Sequence, residues 1–136
     1  MSMSIASPAS IKRLPSRELA ERIEEFRSLK DGWMGEGSIA PVVGDLDRIV
    51  ESFANHYSCD LPLPQLFPTS DGGVSAEWEV NDWSLSLAIT FPEFSGYWHE
   101  LQNETSADDD RTLNLSDADD WSWLTQRLRD LILGHS

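Results

Sequence analysis

The side chains of this chain with the clearest chemical potential are carboxylates. Glu77 and Glu79 alternate with Val74, Ala76, Trp78 and Val80. On a strand the two glutamates share one face, about 6–7 Å apart along the rise. A carboxylate pair at that spacing suits general acid–base catalysis of a small hydrolase kind, and Glu36 with His99 is a second combination of this type. The competing reading is a solvated sheet face, which fits better because no further catalytic group converges on the pair. Asp108-Asp109-Asp110 lacks the Asp-x-Asp-x-Asp-Gly order and distal Glu of a calcium loop. His56 and Cys59 have no partners at metal-ligand spacing. A Gly-x-Ser-x-Gly nucleophile motif is absent, and the glycines of 32–37 lack the Lys-Ser/Thr of a phosphate loop. The residues therefore predict no metal and no cofactor.

The second use of carboxylates is to attract a basic surface. Asp108, Asp109 and Asp110, with Glu100, Glu104, Asp117, Asp119 and Asp120, can present a strip of negative charge that steers a cationic partner. Trp98, Trp121 and Trp123 lie near this strip in sequence, and tryptophan is a favoured interface anchor. Trp123 falls off the leucine stripe of its helix, which leaves exposure, a second contact and core packing all open to it. Trp33 and Glu36 sit in a glycine-rich loop. Trp33 there is either a plug that seats the loop on the core or, with Glu36, part of a binding loop. The candidate partner contacts are thus Trp33, Glu36, Trp98, Asp108, Asp109, Asp110, Asp119, Asp120 and Trp123.

Charge fits either a basic partner or merely a solvated, self-repelling surface. The net charge is -14. Residues 1–69 hold 10 acidic and 7 basic side chains, and residues 70–136 hold 14 and 3. This excess disfavours direct binding to nucleic acid or anionic membrane. A nucleic-acid-binding protein or a toxin fits as the cationic partner. The single cysteine rules out an intrachain disulfide and suits a reducing compartment. No apolar run approaches the roughly 18 residues of a membrane span. The first residues do not form a secretory signal, so a cytoplasmic location is expected.

The elements that must position these residues read as follows. Residues 1–15 form a flexible arm. Ser16 caps a helix over about 16–30, with Leu19, Ile23 and Phe26 on its apolar stripe. A second helix opens near Pro41 or Val42 and carries Leu46, Ile49, Val50, Phe53 and Tyr57. Prolines keep 60–68 extended, with a short edge strand at Leu66-Phe67. Asp71-Gly72-Gly73 is a turn, both glycines tolerating positive φ. A strand over about 73–80 meets the next through Asn81-Asp82, a hairpin connection. Trp83, Leu85, Leu87, Ile89 and Phe91 alternate along that next strand. A further strand spans about 94–101, weakened or bulged at Gly96. Asn103–Arg111 reads as a polar loop, followed by a short strand at 112–115. Ser116 caps the last helix, with Trp121, Leu124, Leu128, Leu131 and Ile132 inward. The fold class is α+β: two N-terminal helices, an antiparallel sheet of three to five strands, and a C-terminal helix. Residues 16–136 form one domain, with the helices mainly on one sheet face.

Leu29-Lys30-Asp31-Gly32-Trp33-Met34-Gly35-Glu36-Gly37-Ser38, followed by Pro62-Leu63-Pro64-Gln65-Leu66-Phe67-Pro68-Thr69-Ser70-Asp71-Gly72-Gly73-Val74-Ser75-Ala76-Glu77-Trp78, resembles a pattern in an uncharacterised family of small bacterial proteins. That family often has Asp where this chain has Met34. Some of its members lie beside toxin–antitoxin or mobile-element genes. The resemblance implies a small interaction protein and carries no catalytic residue with it. Taken with the charge asymmetry, it leads to a module that neutralises or regulates a basic protein, as an antitoxin, immunity protein or phage-type inhibitor such as an anti-CRISPR does. The alternatives are the Glu77/Glu79 enzyme and a structural subunit that dimerises through an open sheet edge.

Overall fold

The structure is a computed structural model that describes residues 17–58 and 60–134. The arm expected over 1–15, the Ser16 cap and Cys59 lie outside the described residues.

Helix α1 (Arg17–Arg27) buries Leu19, Ile23 and Phe26 at helical spacing. It ends before residue 30, where the Ser28 and Leu29 N–H groups donate to the Glu25 and Phe26 carbonyls three residues back and the Ser28 hydroxyl donates to the Glu25 carbonyl at 2.8 Å. Helix α2 (Val43–His56) buries Leu46, Ile49 and Phe53, and its stripe continues into buried Tyr57. Five strands follow: β1 (Gln65–Pro68), β2 (Val74–Val80), β3 (Trp83–Thr90), β4 (Ser95–Gln102) and β5 (Asp108–Asn114). They form an antiparallel meander in the order β1-β2-β3-β4-β5. Helix α3 (Ala118–Ile132) closes the chain. The α+β class, the two N-terminal helices, the antiparallel sheet and the C-terminal helix are as the sequence predicts.

The turns explain the register. Gly72 adopts φ of 88°, in the left-handed region. Gly73 does not; its requirement is close approach, since a Cβ there would lie 2.4 Å from the Ile89 carbonyl oxygen. Asn81 adopts φ of 52° and sets Val80 opposite Trp83. Its amide also donates to the Leu131 and Ile132 carbonyls at 3.0 Å each, tying the hairpin to the last turn of α3.

Three local expectations are corrected. Gly96 forms no bulge, because Ile89, Gly96 and Leu113 stay in register across three strands. Its missing side chain makes room for Leu87 and Leu115, whose Cδ1 atoms would lie 2.6 and 3.1 Å from a Cβ. Asp108-Asp109-Asp110 is strand rather than loop, pairing with Leu101, Glu100 and His99. Ladder pairing to β4 overrides the poor strand preference of aspartate. The cap of α3 is Asp117, whose carboxylate accepts from the Asp119 amide at 2.9 Å; Ser116 precedes it.

One sheet face carries Val74, Ala76, Trp78, Leu85, Leu87, Ile89, Trp98 and Leu113 into a core shared with all three helices. The opposite face carries Ser75, Glu77, Glu79, Ser84, Ser86, Tyr97, His99, Asp108 and Asp110, all exposed or half-exposed. Both sheet edges are blunted, β1 by its four-residue length and terminal Pro68 and β5 by its three aspartates. That arrangement works against edge-to-edge dimerisation. Among the described residues, no helix is long and apolar enough to cross a membrane.

Candidate functional site

Helix α3 has a second stripe beside its buried one. Trp123, Gln126, Arg127 and Asp130 follow an i, i+3, i+4, i+7 spacing and share one flank. Opposite them, period-two alternation puts Trp98 and Glu100 of β4 on the helix side of the sheet. Register adds Arg111 beside Trp98 and Asp109 beside Glu100. These residues, with Asp110, line a cleft of about 630 Å³ between α3 and the β4–β5 edge.

At its base lies Glu100, only 3% exposed. A carboxylate this buried needs its lone pairs filled. The Trp98 indole N–H donates to Oε2 at 2.9 Å. Arg127 donates from Nε to Oε2 at 2.8 Å and from Nη2 to Oε1 at 2.5 Å, a bidentate pair. Burial alone would raise the Glu100 carboxyl. Hydrogen bonds from Arg127 and Trp98, with the nearby positive charge, outweigh it and hold Glu100 below the usual carboxylate range. The same hydrogen bond raises Arg127.

This shift has a signed consequence. Glu100 binds its proton more weakly in the folded chain than in the unfolded one. Its contribution to stability is therefore complete above the ordinary glutamate value and is lost as pH falls through the lower folded value. Urea titrations between neutral pH and pH near 3 should show falling stability toward acid. An Arg127→Met variant should show a shallower fall; an unchanged pH slope would mean that Glu100 is not the group responsible.

Above the base stands Trp123, half-buried and edge-on to Trp98 with centroids 6.1 Å apart. The Arg111 guanidinium lies 4.4 Å from the Trp123 ring centroid. Asp130 accepts from the Gln126 amide at 3.0 Å, and Asp109 accepts from the Asp110 backbone N–H at 2.9 Å. Once Glu100 and Arg127 neutralise each other, the carboxylates of Asp109 and Asp130 outnumber Arg111 in the cleft lining. The cleft is aromatic within and negative at its rim.

Of the residues singled out from sequence, Trp98, Asp109 and Trp123 come together here, while Asp110 borders the cleft with its carboxylate turned to the other sheet face. Trp98 is 1% exposed, so it is a floor and core residue rather than a surface anchor. The Asp110 carboxylate accepts from the Tyr97 hydroxyl at 2.7 Å, and Asp108 lies 3.1 Å from His99 Nε2, both on the opposite sheet face. Asp119 and Asp120 stay in the first turn of α3, where the Asp120 carboxylate accepts from the Asn114 backbone N–H at 2.6 Å. Glu100, read as part of a surface strip, is instead buried. Arg127, near the C-terminal end of α3, forms the ion pair that holds it.

Trp33 and Glu36 lie elsewhere, in the loop joining α1 to α2. Trp33 is half-exposed and folds over its own loop, donating to the Ile39 carbonyl at 3.2 Å. It does not plug the core. Exposed Met34, Ile39, Val42 and Val43 flank it, and Glu36 is exposed. Glu77 and Glu79 stand exposed on the open sheet face, outside both this cleft and the one lined by Leu19, Arg22 and residues 63–67 beside β1. His99 pairs with Asp108 rather than Glu36. Among the described residues, no three His, Cys, Asp or Glu side chains group as a metal site. His56 stacks on Trp121 at 5.8 Å. Comparison with protein-family models, curated proteins and solved structures gives no match to this chain.

Proposed function

We propose that this protein is an acidic protein-binding module that neutralises or regulates a basic partner, with the α3/β5 cleft as its contact site. Antitoxins, immunity proteins and phage-type inhibitors work in this manner, and a cytoplasmic nucleic-acid-binding protein or toxin suits the charge. The observation that carries the reading is a cleft in which half-buried Trp123, packed edge-on against buried Trp98, sits beneath surplus carboxylates. Aromatic surface gives a partner side chain something to bury against, and the rim charge selects cations and accelerates encounter.

The test is a low-salt pull-down from the host with three baits, eluted by a salt step. The first bait is the wild type. The second carries Asp109→Asn and Asp130→Asn. The third carries Glu77→Gln and Glu79→Gln, the same charge change on the open face. Two rim charges at about 0.7 kcal/mol each correspond to about a tenfold loss of affinity. Wild type and the third bait should retain one basic protein that salt releases, and the second should retain markedly less. Equal retention by all three would remove the cleft from the mechanism.

A further inference from the structure

The cleft already holds a guanidinium on an aromatic ring. Arg111 stacks on Trp123 at 4.4 Å, yet among the described residues its side chain makes no hydrogen bond and no ion pair. It is an exposed residue on an edge strand, so little holds it there beyond the ring. Asp109 and Asp130 lie close enough to raise the neighbouring Arg127 by their charge, and neither is matched by an ion pair among the described residues. The ring face is thus covered by a weakly tethered cation beside carboxylates able to accept another.

We propose that the cleft is an arginine subsite: a guanidinium from the partner replaces Arg111 on Trp123 and is held by Asp109 and Asp130. This rests on the protein-binding reading and specifies the side chain recognised. Arginine suits the site better than lysine for a geometric reason. A planar guanidinium stacks on an indole face while its edge N–H groups reach carboxylates, whereas a compact ammonium is more strongly hydrated and cannot do both. The cleft volume of about 630 Å³ accommodates a long side chain together with the displaced Arg111.

The test compares two peptides of equal length and charge, one arginine-rich and one lysine-rich, titrated into the full chain at low salt. The arginine peptide should bind at least about threefold more tightly, the scale of a cation–π contact at a partly exposed ring. Trp123→Leu should abolish the preference and Trp123→Phe should reduce it. Arg111→Gln should strengthen arginine binding more than lysine binding, because it vacates the ring as well as removing a charge. Equal binding of both peptides by the wild type, or a preference that survives Trp123→Leu, overturns the arginine subsite and leaves the protein-binding reading standing. No binding of either peptide overturns both.

Discussion

Replacing Arg127 with methionine should cost the fold about 3 kcal/mol, because it strands a buried carboxylate. Glu100 keeps only the Trp98 indole N–H as a side-chain donor once Arg127 is gone. The Arg127 side chain is 23% exposed and that of Glu100 is 4%, so the penalty falls on the glutamate. Two further variants separate the loss of attraction from the cost of isolation. Glu100→Gln leaves a guanidinium that still meets solvent and feels the nearby charges of Asp109 and Asp130, and should cost about 1–2 kcal/mol. The double variant Glu100→Leu with Arg127→Met removes both charges and should recover most of the single-variant loss. Urea denaturation measures all three. An Arg127→Met cost below about 1 kcal/mol would show that water reaches Glu100 freely.

Gly73→Ala should cost about 3 kcal/mol, an overpacking penalty at the upper end of its usual range. The added Cβ would stand 2.4 Å from the Ile89 carbonyl oxygen and 3.0 Å from Thr69 Oγ1. The first neighbour is backbone, so relief requires moving the end of the β2–β3 ladder. It would also loosen the turn in which the Gly73 N–H donates to Thr69 Oγ1 and Thr69 N–H donates to the Gly73 carbonyl. Gly44 in α2 provides the contrast. Nothing lies within 4 Å of a Cβ there and its φ is not positive. Gly44→Ala should therefore stabilise by about 0.5–1 kcal/mol through helix propensity. Thermal or urea denaturation distinguishes them; equal effects at the two positions would contradict the close approach at Gly73.

Local pattern made much of this fold legible. Alternation from Val74 to Val80 and from Trp83 to Ile89 marked two strands, and Asn81-Asp82 marked their hairpin. Leu46, Ile49 and Phe53 marked α2 and its buried side. Non-local pairing was less visible. Nothing within Asp108-Asp109-Asp110 favours a strand, and only the ladder offered by β4 makes it one. The candidate site was half legible. Trp123 stood out because it leaves the leucine stripe, yet Gln126, Arg127 and Asp130 on the same flank were overshadowed by that stripe. Glu100 could have been found from its spacing, since it lies two residues after Trp98 and shares its face. Its ion pair with Arg127 spans 27 residues and depends on how α3 crosses the sheet. Trp33 misled for the opposite reason: a large apolar ring implied burial, but its loop supplies the Ile39 carbonyl as a local partner.

The most direct measurement is a ¹H–¹⁵N spectrum of the labelled protein titrated at low salt with the basic partner recovered by pull-down. A cationic docking cleft predicts shifts concentrated at Asp109, Asp110 and Arg111, along α3 from Trp123 to Asp130, and at the Trp123 indole N–H, all reversed by salt. Shifts confined to the α1–α2 loop or to the Glu77 and Glu79 face, or shifts that salt leaves in place, would contradict it.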